Sequence, residues 1–116
     1  MSRVFILEPP KNNIDISNAS EFGTVEFIFA SGDRRPSVFD TCDYSKQVMK
    51  ILKEKNFEPD CDCFCVVGSF IKLITAVSAM ILEFKSINVL FYNALENEYV
   101  LRPIGSFFNE TIDSDV

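Results

Sequence analysis

The pattern of apolar positions predicts two strands and a short turn of helix in the first thirty residues. An apolar run at residues 4–7 predicts a first strand, which ends where Pro9 removes a backbone donor. Asp15 or Ser17 is placed to cap a short helical turn that Gly23 ends. Residues 24–30 predict a second strand. Because strand side chains alternate, its residues divide into two faces: Val25, Phe27 and Phe29 on one, and Glu26 and Ile28 on the other.

A helical period follows from residue 41 to about residue 55. Tyr44, Val48, Ile51 and Leu52 recur at the spacing of one buried helix stripe. Asp40 or Thr41 is placed to cap this helix. Just before it, residues 37–39 predict a short returning strand, which the preceding proline would confine to an edge of the sheet.

The middle of the chain, residues 62–92, predicts a strand–helix–strand unit. Residues 61–67 form an apolar strand, Ser69 is placed to cap a helix over Phe70–Phe84, and residues 87–92 form another strand. Strands joined through a helix run parallel, with a right-handed crossover. The segment 87–92 shows little alternation, as expected of an interior strand that is covered on both faces. A turn at residues 93–97 then leads to a last strand over residues 98–104.

These elements predict a single small Rossmann-like α/β domain. It has a mixed sheet of about five strands, two main helices and a C-terminal β-hairpin. A chain of 116 residues with 47% hydrophobic content fits one domain with its own core. We assign residues 1–108 to this domain. Residues 109–116 are acidic and poor in core-forming side chains, so we expect a frayed tail there.

The helix over Phe70–Phe84 is apolar around more than half of its circumference. Lys72, Thr75 and Glu83 form a narrow polar stripe, and the remaining arc exceeds what one sheet covers. This excess predicts a homodimer or other homo-oligomer that associates through this helix. In the alternative, the N-terminal segment or Phe107 and Phe108 pack over it within the same chain.

Composition narrows the classes of partner and compartment. A net charge of −6 argues against a general binder of nucleic acid or of an anionic membrane, whose binding face is basic. Gly68 and Ser69 split the apolar run 64–82 into pieces too short to span a bilayer. The N-terminal apolar run is also too short for a secretion signal, so we expect a cytoplasmic protein.

The chain lacks residues that several chemistries require. It contains no histidine, which excludes Ser-His-Asp and Cys-His nucleophiles and histidine metal sites. It has neither a Walker loop nor a G-x-G-x-x-G motif, and we expect no cofactor. Cys61, Cys63 and Cys65 alternate along a predicted strand, with Cys42 at the start of the first helix. A four-thiolate zinc site is one interpretation. Thiols spaced along a strand lie about 7 Å apart and do not chelate easily, so we expect buried thiols and no metal.

Two positions are candidates for binding a small anion. Gly68 and Ser69 follow a strand and open a helix, which places backbone N–H groups at the carboxyl edge of the sheet. Arg34 and Arg35 are the only two adjacent basic residues. They lie in a predicted hairpin turn and can clamp a phosphate or carboxylate. In the alternatives, Ser69 only caps its helix and the arginines are solvated or pair with nearby aspartates.

Five short segments carry a resemblance to a known group of proteins. They are DISNASEFG at 15–23, RPSVFDT at 35–41, FEPD at 57–60, VGS at 67–69 and YVLR at 99–102. Together they resemble small uncharacterised proteins of marine tailed phages, over residues 4–104. The resemblance implies expression in an infected bacterial cytoplasm and an accessory or host-interaction role. It implies no catalytic residues.

The sequence therefore favours a non-enzymatic protein that acts by self-association or by binding another protein. The alternative is a binder of a small anionic or nucleotide-like ligand at Gly68 and Ser69, with Arg34 or Arg35 folding over it. A hydrolase of such ligands would need acidic residues at that edge, and none is identifiable from the spacing.

Overall fold

The chain forms a five-stranded mixed sheet flanked by helices. The computed structural model describes residues 2–10, 16–30, 36, 37 and 39–105. In chain order the elements are β1 (Arg3–Ile6), a 3₁₀ turn (Ser17–Phe22), β2 (Thr24–Phe27), α1 (Thr41–Glu54), β3 (Cys63–Cys65), α2 (Phe70–Phe84), β4 (Ser86–Asn93) and β5 (Glu98–Gly105). The strands lie in the order β2-β1-β3-β4-β5, and only β5 runs antiparallel to its neighbour. The predicted α/β fold, with its mixed sheet, two main helices and C-terminal hairpin, is confirmed.

The central strands β1 and β3 are buried on both faces of the sheet. Phe5 and Phe64 belong to the core under α1 and α2. Val4 and Ile6 belong to a second core, which the 3₁₀ turn covers through Ala19. All five side chains are fully buried. This two-sided burial explains why the strand sequences are apolar without a polar face.

The helix α1 follows the predicted spacing. The Asp40 side chain accepts a hydrogen bond from the backbone N–H of Asp43 at 3.0 Å, which caps the first turn. Tyr44, Val48 and Leu52, each one turn further along, are fully buried against the sheet. Of the two alternative caps predicted, Asp40 and Thr41, Asp40 is therefore the one that caps α1.

The helix α2 has the predicted bounds and packs beside α1. Ala76 and Met80 are fully buried against the sheet. On the side toward α1, the Glu83 carboxylate lies 2.8 Å from the ammonium of Lys53. Within the described residues, no helix is long and apolar enough to cross a membrane.

Two predicted strands are longer than the strands that form. The strand predicted over 61–67 spans only Cys63–Cys65, because Cys61 lies in an exposed turn before it. The strand β2 ends at Phe27, and the chain bends there. Ile28 and Phe29 therefore both join the core under the helices, instead of alternating as predicted.

The short edge strand predicted at 37–39 is not formed by its described members. Ser37 and Phe39 lie outside any strand, and the Phe39 side chain is exposed. The residue between them, the predicted cap Asp15 and the predicted tail lie outside the described residues.

Candidate functional site

The carboxyl ends of β1 and β3 form the point of the sheet where ligands bind in open α/β folds. From β1 the chain moves toward β2 on one side, whereas from β3 it moves toward β4 on the other side. The connections therefore diverge, which is the arrangement that forms a crevice between the two strand ends in open α/β sheets. Glu8 follows β1 at this crevice, and Gly68 and Ser69 follow β3.

Gly68 and Ser69 occupy the predicted turn and are exposed. Gly68 has a φ of 136°, a conformation that favours glycine, and nothing lies near the position of a side chain there. Ser69 is the N-cap residue of α2, with φ −64° and ψ 134°, but its hydroxyl makes no capping hydrogen bond. The first turn of α2 also contains no acidic residue. Ser69 thus marks the start of the helix without satisfying its N–H groups.

Beside this turn, Lys72 forms an ion pair that sequence reasoning missed. Its ammonium lies 2.8 Å and 3.2 Å from the two carboxylate oxygens of Glu8. The buried Tyr44 hydroxyl lies 3.1 Å from Glu8 as well. Because Glu8 already neutralises Lys72, the crevice carries little net positive charge from this lysine. A lysine inside an apolar helix and a glutamate just after a strand were the available signals, but their pairing depends on strand order.

The second predicted anion-binding element is not placed by the structure. Arg34 and Arg35 lie outside the described residues, so their position relative to Gly68 and Ser69 stays a prediction.

The opposite edge of the sheet holds a structural ion pair. The register that pairs Val4 with Cys63 sets Arg3 beside Asp62. The Arg3 guanidinium lies 2.8 Å from the Asp62 carboxylate, and Asp62 is 2% exposed. This contact joins the starts of β1 and β3, away from the crevice.

The thiols are poorly suited to chemistry. Cys63 and Cys65 are buried on one face of β3, as predicted, and burial raises the pKa of Cys63 to about 11 and that of Cys65 to about 12. The prediction of buried thiols is wrong for Cys42 and Cys61, which are exposed, and a hydrogen bond with Glu58 raises the pKa of Cys61. Among the described residues, no three side chains of metal-binding type cluster closely enough to hold an ion.

The second candidate surface is the outer face of α2, which consists of Phe70, Ile71, Ile74, Ser78 and Leu82. At 3.6 residues per turn these five positions fall within about 120° of arc. Phe70 is 78% exposed and Leu82 is 87% exposed, while Ile71 and Ile74 are each nearly half exposed. No charged residue of α2 falls within this arc, and Lys85, just past the end of the helix, borders it beside Leu82. The structure therefore leaves part of the broad apolar arc uncovered within the described residues.

A model of a known protein family matches residues 2–105 of the chain. That model is described as Phage Pam3 gp32-like protein. The chain belongs to this family. The resemblance to phage proteins is therefore confirmed, and the matched range contains all five strands and both helices.

No curated protein and no solved structure matches the chain. The family description names no activity and no ligand.

Proposed function

We propose that this phage protein is a non-enzymatic accessory protein that acts by association through the outer face of α2. Its first partner is a second copy of the same chain, in the cytoplasm of the infected bacterial cell. The observation that carries the proposal is the outer face of α2, where four apolar side chains are exposed around Ser78 and two of them, Phe70 and Leu82, are more than three-quarters exposed. Fully burying one such side chain contributes about 1.5–3 kcal/mol, so an uncovered group of them favours association.

The spacing of the outer face suits a symmetric contact between two α2 helices. Ile74 and Leu82 lie four residues to either side of Ser78. In an antiparallel crossing centred on Ser78, Ile74 of each copy meets Leu82 of the other. The small serine at the centre lets the two backbones approach, and rows of residues four apart are the commonest ridges in helix packing.

The exposed edge of the sheet is a less favourable route to assembly. The edge strands are β2 and β5: β2 is only four residues long, and Pro103 lies within β5. Proline has no backbone N–H, so it interrupts the hydrogen bonds that a strand from another copy would make. Association through the outer face of α2 is therefore more favourable than association through a sheet edge.

The side chains that could take part in catalysis are few, which supports a binding role. The chain contains no histidine, and the two strand thiols are buried with raised pKa values. Neutral thiols are poor nucleophiles. The residues that remain favour contact with a partner over covalent chemistry.

A pair of matched substitutions tests the proposal. Ile74→Glu places a charge in the outer face, and Leu95→Glu places the same charge at a hairpin position that is 95% exposed. Sedimentation velocity at several concentrations should show at least a tenfold weaker self-association for Ile74→Glu and no change for Leu95→Glu. Circular dichroism checks that both variants fold. Equal association of the two variants would place the contact elsewhere.

A second candidate function is binding of a small anionic or nucleotide-like ligand at Gly68 and Ser69. The observation that favours it is that the Ser69 hydroxyl makes no capping bond, which leaves the first N–H groups of α2 uncapped by this side chain. Under this proposal, a nucleotide should raise the melting temperature in a dose-dependent way. Ser69→Ala should abolish that shift while leaving the melting temperature without ligand unchanged. A flat response across a nucleotide panel would reject this candidate.

A further inference from the structure

The chain leaves the sheet beside the C-terminal end of α2. Gly105, the last residue of β5, pairs with Ser86 at the start of β4. It lies so close to the end of α2 that a side chain at this position would collide with the carbonyl oxygen of Lys85. Eleven further residues, SFFNETIDSDV, follow it in the sequence. Gly105 therefore tethers the following segment beside the C-terminal end of α2.

An open depression lies on α2 at this end. Ser78, Ile81, Leu82 and Lys85 line it. Phe107 is two residues beyond Gly105, a reach of about 7 Å for an extended chain. The two phenylalanines are therefore the first large apolar side chains that can reach Leu82, which is 87% exposed.

The length of the segment matches the length of the outer face. From Leu82 back to Phe70 the helix rises about 18 Å. Six residues of extended chain, from Phe107 to Asp113, cover about 20 Å. A segment that starts at Leu82 and runs antiparallel to α2 thus reaches the start of the helix with Asp113.

The charges are complementary along the same path. The segment carries Glu110, Asp113 and Asp115 and no basic residue. The start of α2 is the positive end of the helix dipole, and it has neither an acidic residue in its first turn nor a side-chain cap. The acidic half of the segment therefore falls at the positive end of the helix dipole, where α2 has no acidic residue of its own and Glu8 is already paired with Lys72.

We propose that residues 106–116 dock in cis along the outer face of α2, with Phe107 and Phe108 over Leu82 and the acidic half toward Ser69. The docked segment covers the surface that a second copy would use, so it weakens self-association. This competition rests on the proposed self-association, whereas the docking itself does not.

A disulfide-trapping experiment tests the docking. In a full-length chain with Cys42→Ser and Cys61→Ser, which removes the two exposed thiols, Phe70→Cys is combined with Ser114→Cys. The control carries the same two cysteines with Phe107 and Phe108 both replaced by serine, which keeps the tether and removes the apolar anchors. Both are oxidised with glutathione disulfide at micromolar protein. Because the effective concentration that the tether alone provides is the same in both proteins, docking should make the intramolecular disulfide form roughly tenfold faster than in the control.

Each outcome of the trapping decides the docking independently of the oligomeric state. An intramolecular disulfide between positions 70 and 114 that forms more slowly without the two phenylalanines supports it. A disulfide that forms only between chains would overturn docking in cis and place the segment on another copy. Equal rates with and without the two phenylalanines would also overturn it.

The competition has its own test. Replacing Phe107 and Phe108 together by serine should strengthen self-association at least about tenfold, as measured by sedimentation velocity. If trapping succeeds but this variant associates no more tightly than the parent, the segment docks without competing. If neither protein associates at any concentration, the proposed self-association fails while the docking stands.

Discussion

Asp62 shows how a single residue carries a long-range contact. Its carboxylate accepts hydrogen bonds from the backbone and side chain of Arg3 and from the backbone N–H of Glu58, at 2.8–3.0 Å. Burial raises the pKa of this carboxyl, but the hydrogen bonds from Arg3 and Glu58 outweigh it and hold the pKa below 3.8. The contact spans 59 positions in the sequence. Neither residue alone signals it, because only the pairing of β1 with β3 brings them together.

Replacing Asp62 by Asn should destabilise the fold. The change leaves the largely buried Arg3 guanidinium without its main counter-charge, so we expect a loss of about 2–3 kcal/mol in the free energy of unfolding. Urea denaturation at pH 7 measures it. Glu26→Gln is the matched control: Glu26 also pairs with Arg3, at 3.3 Å, but is more exposed and should cost less than about 1 kcal/mol. Equal costs for both variants would contradict this account of Asp62.

The same substitution has a predicted pH dependence. Because the pKa of Asp62 is lower in the folded than in the unfolded chain, its contribution is complete well above pH 3.8. It is lost as pH falls through the folded-state pKa. The stability difference between wild type and Asp62→Asn should therefore be constant near neutral pH and shrink below about pH 4. A difference that grows on acidification would reverse the assigned sign.

The four thiols should divide into two classes of reactivity. Cys42 and Cys61 are exposed, whereas Cys63 and Cys65 are buried with raised pKa values. Titration with a chromogenic disulfide at pH 8 should thus modify two thiols quickly in the folded protein and four in denaturant. Four fast thiols in the folded state would contradict the burial of β3.

At the scale of elements, helices were more predictable than strand ends. The bounds of α2 follow from a continuous apolar run opened by Gly68 and Ser69, a local signal. The end of β2 depends on where pairing with β1 stops, which no local pattern contains. Cys61 continues the alternation of β3 but lies in a turn. Alternation therefore predicts which residues can form a strand, while the neighbouring strand decides how many do.

The two helix N-caps should differ in what they contribute. The Asp40 carboxylate caps α1 by accepting from the N–H of Asp43, so Asp40→Ala should lower the free energy of unfolding by about 1 kcal/mol. The Ser69 hydroxyl makes no such bond, so Ser69→Ala should cost less than about 0.5 kcal/mol. Chemical denaturation of both variants gives the comparison. A larger cost for Ser69→Ala would mean that this hydroxyl does cap α2.

For the whole molecule, the sequence predicted the class of fold and the surface proposed for association. The apolar excess of α2 was visible because it is a property of one helix. Strand order was not, and the pairs Glu8–Lys72 and Arg3–Asp62 depend on it. The crevice at Gly68 and Ser69 was predicted by position alone. Its electrostatics were not, since Glu8 comes from a distant part of the chain.

The mass of the protein in solution tests the central claim most directly. The single chain has a mass of 13.2 kDa. Light scattering of the wild-type chain across micromolar concentrations should give a mass that rises toward twice this value, and more steeply when Phe107 and Phe108 are replaced by serine. A mass that stays at 13.2 kDa for both proteins at every concentration would contradict self-association through the outer face of α2.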